Sequence, residues 1–128
     1  MAAEPRRARS GSPFEERFGF SRAVRIGERV LVSGTGPVWP DGSCDRAPAA
    51  QARRCCEIIL AALAELGGEA ADVVRTRMLI TDAAAAEEVG AVHREVFAEA
   101  APAATMVVVA ALLDPRWVVE IEAEAVVA

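Results

Sequence analysis

One histidine, three cysteines and no uninterrupted apolar run longer than Met106 to Leu113 limit what this 128-residue chain can be. The single histidine, His93, lies far from any cysteine pair, so the four ligands at motif spacing that a zinc site needs are missing. An odd number of cysteines gives no disulfide framework. Cys55 and Cys56 are neighbours on a predicted helix, where their side chains diverge by about a quarter turn, and Cys44 stands apart. All three read as buried or half-buried thiols. The apolar run falls far short of the roughly 20 residues that span a bilayer. No apolar segment follows Arg6, Arg7 and Arg9, so neither a membrane span nor a secretory signal is expected, and the cytoplasm is the expected compartment. Acidic residues outnumber basic ones by 19 to 14, and a net charge of −5 cannot neutralise phosphates over a broad surface, which makes nucleic acid a poor partner. There is no glycine-rich phosphate loop, and neither a metal nor a cofactor is expected.

What the chain does have is material for one core: 53% of its residues are hydrophobic, at a length that suits a single domain. Residues 1–13 are rich in Ala, Arg, Pro, Ser and Gly without periodicity and read as a flexible tail, leaving one domain over 14–128. Phe20 to Ile26, a Gly27-Glu28 turn and Arg29 to Ser33 read as a β-hairpin. From Pro48 to Leu66 the apolar residues Ala52, Cys55, Cys56, Ile59, Leu60, Leu63 and Leu66 keep helical spacing, and Gly67-Gly68 ends the run. Val73 to Ile80 alternates as a strand, with Val74, Thr76, Met78 and Ile80 on one face and Val73, Arg75, Arg77 and Leu79 on the other. Asp82 is a natural cap for a second helix carrying Val89, Val92, His93, Val96 and Phe97 on one stripe. That position suits a packed, hydrogen-bonded histidine better than a catalytic one. Two last strands, Thr105 to Leu113 and Trp117 to Val127, are expected to form a closing hairpin about Asp114-Pro115.

Two helices and five or six strands in this order give an α+β sheet with the helices packed on one face. The other face carries Arg75 and Arg77 on one strand and Glu120, Glu122 and Glu124 on another, too much charge for a second core. Cross-strand ion pairs on a wet or intersubunit face account for them, each worth under about 1 kcal/mol.

Phe20-Ser21-Arg22-Ala23-Val24-Arg25-Ile26-Gly27, Val30-Leu31-Val32-Ser33-Gly34, Pro37-Val38-Trp39-Pro40-Asp41-Gly42, Gln51-Ala52-Arg53, Asp72-Val73-Val74-Arg75-Thr76, Thr81-Asp82, Pro102-Ala103-Ala104-Thr105-Met106, and the stretch from Asp114 through Glu120 to Val127 follow one another in this order. Together they resemble the RidA/YjgF family of imine deaminases, whose members are often labelled endoribonuclease L-PSP. The resemblance runs from about Phe18 to the C-terminus. It implies a chorismate-mutase-like, RidA-like sheet, a homotrimer built around a threefold axis, and small-molecule clefts between subunits. Position by position it makes Glu120 the carboxylate that faces substrate and positions the attacking water, and it places Ser33 and Gly34 in the turn lining the cleft. Phe20 stands where the family has Tyr, Gly90 where Asn is common, Met106 where Cys is common, and Ala104 where an Arg grips the substrate carboxylate. Thr105, Trp39 and Arg116 complete the expected surroundings.

The missing guanidinium decides the electrostatics. An α-imino acid carries a carboxylate that needs a charged donor, worth roughly 1.5 to 3 kcal/mol per hydrogen bond, and Ala104 offers none unless Arg22, Arg116 or a neighbouring subunit's arginine takes over. A neutral or cationic, partly aromatic molecule suits the remaining groups better. The leading reading is therefore a trimer that hydrolyses or tautomerises an enamine, imine or related metabolite and lacks standard 2-imino-acid deaminase activity. A non-catalytic metabolite binder using the same cleft is the alternative. An endoribonuclease or translation inhibitor comes third, because RNA cleavage needs a basic groove and an acid-base pair.

Overall fold

Val119, Ile121, Ala123 and Ala125 are buried and the glutamates between them are not, so the last strand separates two faces as its alternation predicts. In the computed structural model, which describes residues 4–128, that strand lies inside a six-stranded sheet. The elements in chain order are β1 (Arg6–Ala8), α1 (Pro13–Phe18), β2 (Ala23–Ile26), β3 (Arg29–Thr35), α2 (Pro48–Glu65), β4 (Val73–Ile80), α3 (Ala86–Phe97), β5 (Ala103–Val108) and β6 (Val119–Val126). The strand order is β1-β2-β3-β6-β4-β5, with β4 and β5 parallel and every other neighbouring pair antiparallel. The fold is mixed α+β, with three α-helices.

The stripe on α2 buries Ala52, Cys55, Cys56, Ile59, Ala62 and Leu63, and Gly67, at a φ of 87°, lets the chain leave the helix. On α3, Val89, Val92 and Phe97 are buried. Both helices share one core with the inner side chains of β3, β4 and β6. Ile59, Leu63 and Phe97 are each worth about 1.5–3 kcal/mol there. Asp82 caps a 3-10 turn, Ala83–Ala85, that leads into α3, accepting a hydrogen bond from the Ala84 amide at 2.9 Å. Buried Gln51 ties α2 to the approach to β6: its Nε2 donates to the carbonyls of Asp45 and Arg116 at 2.8 and 2.9 Å, and its Oε1 accepts from the Val118 amide at 2.7 Å. No helix among the described residues is long and apolar enough to cross a membrane.

Three expectations are corrected. The ordered chain starts before residue 14, because β1 pairs with β2 (Arg7 opposite Val24) and buries Ala8, so residues 6–13 are not a tail. The expected closing hairpin does not form. β5 pairs with β4 instead, and β6 inserts between β3 and β4, so the two strands are separated by a third. The Asp114-Pro115 turn closes on itself, the Trp117 amide donating to the Asp114 carbonyl at 3.0 Å, inside a longer connection. Finally, the pairing register shifts between Val73 and Arg75, which buries Val73 and exposes Val74, the reverse of simple alternation.

Candidate ligand pocket

Where β3 leaves the sheet and β6 enters it, the chain encloses a cavity of about 570 Å³, within the range of small-molecule sites. Its wall includes Phe14, Phe20, Arg22, Gly34, Trp39, Arg54, Arg116, Trp117 and Glu120. A register shift between Val32 and Thr35 bends β3 there and brings the Gly34 backbone against Glu120. A Cβ on Gly34 would sit 2.5 Å from Glu120 Oε2, so the glycine leaves room for the carboxylate. A Cβ on Gly36 would collide with the Trp117 ring in the same way. Trp117 is buried, stacks edge-on against Phe14 at 6.1 Å, and has an indole N–H with no hydrogen-bond acceptor among the described residues. An unpaired buried donor in a pocket wall is uncommon in folded proteins.

Glu120 differs from its two neighbours on the same face. Glu122 is paired with Arg77 and Glu124 with Arg29, whereas Glu120 joins no ion pair among the described residues. Burial pushes its carboxyl above the ordinary range, with Arg22 opposing the shift and Glu122 adding to it.

The arginines nearby are all engaged. Arg22 donates from Nη1 to the Gly34 carbonyl at 2.6 Å and to Thr35 Oγ1 at 3.1 Å, and its Nε and Nη2 contact Glu15 at 3.3 Å. Arg116 forks onto Asp114, 2.7 Å from Nη2 to Oδ2, holding that carboxyl below its usual range, and also donates to the Gly42 carbonyl. Arg54 lies over the Trp39 ring at 4.2 Å, donates to the Val38 carbonyl and pairs with Glu57. Neither Arg22 nor Arg116 stands free as a replacement carboxylate receptor.

Of the residues expected at the site, Phe20, Gly34, Trp39, Arg116 and Glu120 meet in this cavity. Ser33 does not face it, since its hydroxyl donates to the Ser21 carbonyl at 2.7 Å and braces the hairpin. Gly90, Ala104, Thr105 and Met106 do not line the cavity and lie on α3 and the edge strand β5. Met106 approaches Gly90, and Arg75 donates to Thr105 Oγ1 at 3.0 Å. Glu120 is opposite Leu79, which is beside Val107, so Ala104 lies two strands across and three residues along, roughly 14 Å away by strand spacing. Within one chain Gly90, Ala104, Thr105 and Met106 do not line the same pocket as Glu120. His93 belongs to neither group of residues; its Nε2 is 2.7 Å from Oγ1 of buried Thr76, it packs on Phe97, and burial lowers its pKa. Cys55 and Cys56 are buried, and desolvation pushes the Cys56 thiol up to about 12, so both are inert packing groups.

The segment from Ser10 to Phe14, with Glu15 behind it, is part of the pocket that the sequence reading missed. Its signal was present: Ser12 caps, Pro13 opens, Glu15 and Glu16 fill the first turn, and Gly19 at a φ of 76° closes a short helix.

Residues 12–127 match the endoribonuclease L-PSP family. The chain is 44% identical to a Mycobacterium tuberculosis member of the YjgF/YER057c/UK114 family, whose crystal structure superposes with a TM-score of 0.89, covering 97% of this chain and 100% of that one. It is 30% identical to RidA of an Antarctic Psychrobacter, with a TM-score of 0.82 and 94% of each chain covered. An uncharacterised protein of Streptomyces coelicolor is 39% identical over 123 residues, 94% of this chain and 90% of that protein.

Proposed function

The chain belongs to the endoribonuclease L-PSP family, the YjgF/RidA group, and on that premise we propose that it is a homotrimer with small-molecule clefts between subunits, acting on a neutral or cationic enamine, imine or related metabolite. The reaction would be hydrolysis or tautomerisation, with Glu120 as the acid-base group: a carboxyl that keeps its proton to higher pH can protonate an enamine carbon or imine nitrogen and then draw a proton from the attacking water. The observation that carries this reading is the unpaired, desolvated Glu120 in an aromatic cavity whose arginines are already matched by carboxylates. Standard turnover of 2-imino acids is not part of it, because Ala104 supplies no guanidinium. RNA cleavage is not part of it either, since the solitary His93 is held at Thr76.

Support for assembly comes from the sheet face opposite the helices. Leu31, Val107 and Val126 are exposed there beside the Arg77–Glu122 and Arg29–Glu124 pairs, an apolar and charged mixture suited to burial against copies of itself. A neighbour docked on the β5 edge would also bring Gly90, Ala104 and Met106 to another chain's Glu120, which the roughly 14 Å separation within one chain forbids. Light scattering at micromolar concentration should return the mass of three 13.5 kDa chains. A stable single-chain mass would remove the intersubunit cleft.

The ligand class is tested by thermal shift. Small aromatic amines and enamines should raise the melting temperature in a concentration-dependent way, whereas small carboxylates should not. Stabilisation by carboxylates alone would reverse the proposed charge preference.

A further inference from the structure

Arg22 and Glu15 form the one ion pair among the described residues whose side chains are both buried, at 6% and 4% exposure. The arginine lines the cavity and packs on the Phe20 ring at 5.5 Å, on the same wall as Glu120. Glu15 comes from α1 and approaches the guanidinium from outside the cavity. Its carboxylate is held in turn by the Ser10 amide at 3.0 Å and by the Ser10 hydroxyl. Arg54 and Arg116 are also paired, with Glu57 and Asp114, and each of those pairs includes a half-exposed member whose charge solvent screens. The Glu15 pair is different because burial locks it. With Arg22, Arg54 and Arg116 each matched by a carboxylate, Glu120 and Asp41 are left as the cavity's uncompensated charges.

We propose that Glu15 sets the charge specificity of the pocket: by neutralising the Arg22 guanidinium it removes the positive charge that would draw a ligand carboxylate into the cavity, and so tunes the site to neutral and cationic ligands. Glu15 is a positioning residue, acting on ligands through Arg22. Its role rests on the cavity being the ligand site, and it predicts more than that reading does, because changing a residue outside the cavity should change which charge the cavity accepts. Without the Glu15 carboxylate, the positive charge of Arg22 would stand unneutralised in the cavity wall, where its Nη1 is fixed on the Gly34 carbonyl and Thr35 Oγ1.

The chain's two tryptophans, Trp39 and Trp117, both line the cavity, so intrinsic fluorescence reports its occupancy. Benzoate and benzylamine would be titrated into the wild type, Glu15→Gln and the double variant Glu15→Leu/Arg22→Met. Benzoate should bind Glu15→Gln about threefold to tenfold tighter than wild type, the scale of one uncompensated charge near the ligand, and the double variant should not show the gain. Benzylamine should bind the wild type and weaken in Glu15→Gln. Equal benzoate affinity in wild type and Glu15→Gln, or the same gain in the double variant, overturns the role of Glu15 while a retained benzylamine response leaves the pocket reading standing. No benzylamine response in the wild type overturns the pocket reading itself. If Glu15→Gln fails to fold, Glu15→Ala is titrated with benzoate with and without acetate: binding tighter than wild type that acetate abolishes supports the proposal, and wild-type affinity in both overturns it.

Discussion

Glu120→Gln is expected to abolish turnover, or to weaken the strongest ligand found by thermal shift about tenfold or more, while Glu124→Gln leaves affinity nearly unchanged. The three glutamates of β6 share a face, but their surroundings differ. Glu124 is paired with Arg29 and Glu122 with Arg77, while Glu120, against Gly34 in the cavity, has no ion-pair partner among the described residues. The same substitution should also raise stability at neutral pH. Because burial lifts the folded-state pKa of Glu120 above its unfolded value, the native state binds the extra proton, and stability falls as pH rises through that window. Glutamine has no charge to desolvate, so the variant's melting temperature should exceed wild type near pH 7 and the difference should vanish below the ordinary carboxylate range. A silent Glu120→Gln with an inactive Glu124→Gln would move the site away from this cavity.

The second large effect concerns the fold around that cavity. Arg22→Ala should cost about 3–5 kcal/mol in urea unfolding, because it strands the buried carboxylate of Glu15 and takes donors from the Gly34 carbonyl and Thr35 Oγ1 at once. Replacing both partners by Arg22→Met/Glu15→Leu should cost far less, since no buried charge is left alone. A loss under about 1 kcal/mol for Arg22→Ala would mean that the pair is solvated and that α1 is not anchored through it.

Helices α2 and α3, the β2–β3 hairpin and the face alternation of β6 were legible in the sequence because each follows from local period: seven apolar residues from Ala52 to Leu66 at three-and-four spacing, and two-residue alternation through Val119–Val126. The sheet order was not. Placing β6 between β3 and β4 depends on a long connection, 109–118, whose only strong local signal, Asp114-Pro115, describes a turn and not where the chain goes next. Val73 and Val74 exchanged faces for a similar reason, since a bulge is set by pairing with β6 and leaves no mark in composition. At the site, Glu120, Phe20 and Gly34 were identifiable from the family resemblance. Glu15 and the Ser10–Phe14 wall were not, because Ala, Arg, Pro, Ser and Gly upstream of them read as tail, although the Ser12-Pro13 cap and Gly19 stop spell a short helix. Trp117 was read as the start of a strand, yet it is a wall of the cavity, held by its fit against Gly36.

On the proposed reading, Ala104, where the family resemblance implies an arginine, sets this chain apart from the imine-deaminating pattern. If the clefts form between subunits as proposed, Ala104→Arg should bring measurable 2-imino-acid hydrolysis, with Phe20 and Met106 keeping it modest. The most direct measurement is the decay of 2-iminobutanoate, generated by a coupled amino-acid dehydratase, with and without the wild-type protein. The expected result is the same rate in both. Protein-dependent hydrolysis that disappears in Glu120→Gln would contradict the account, because it would show that the pocket receives a ligand carboxylate without the arginine that Ala104 replaces.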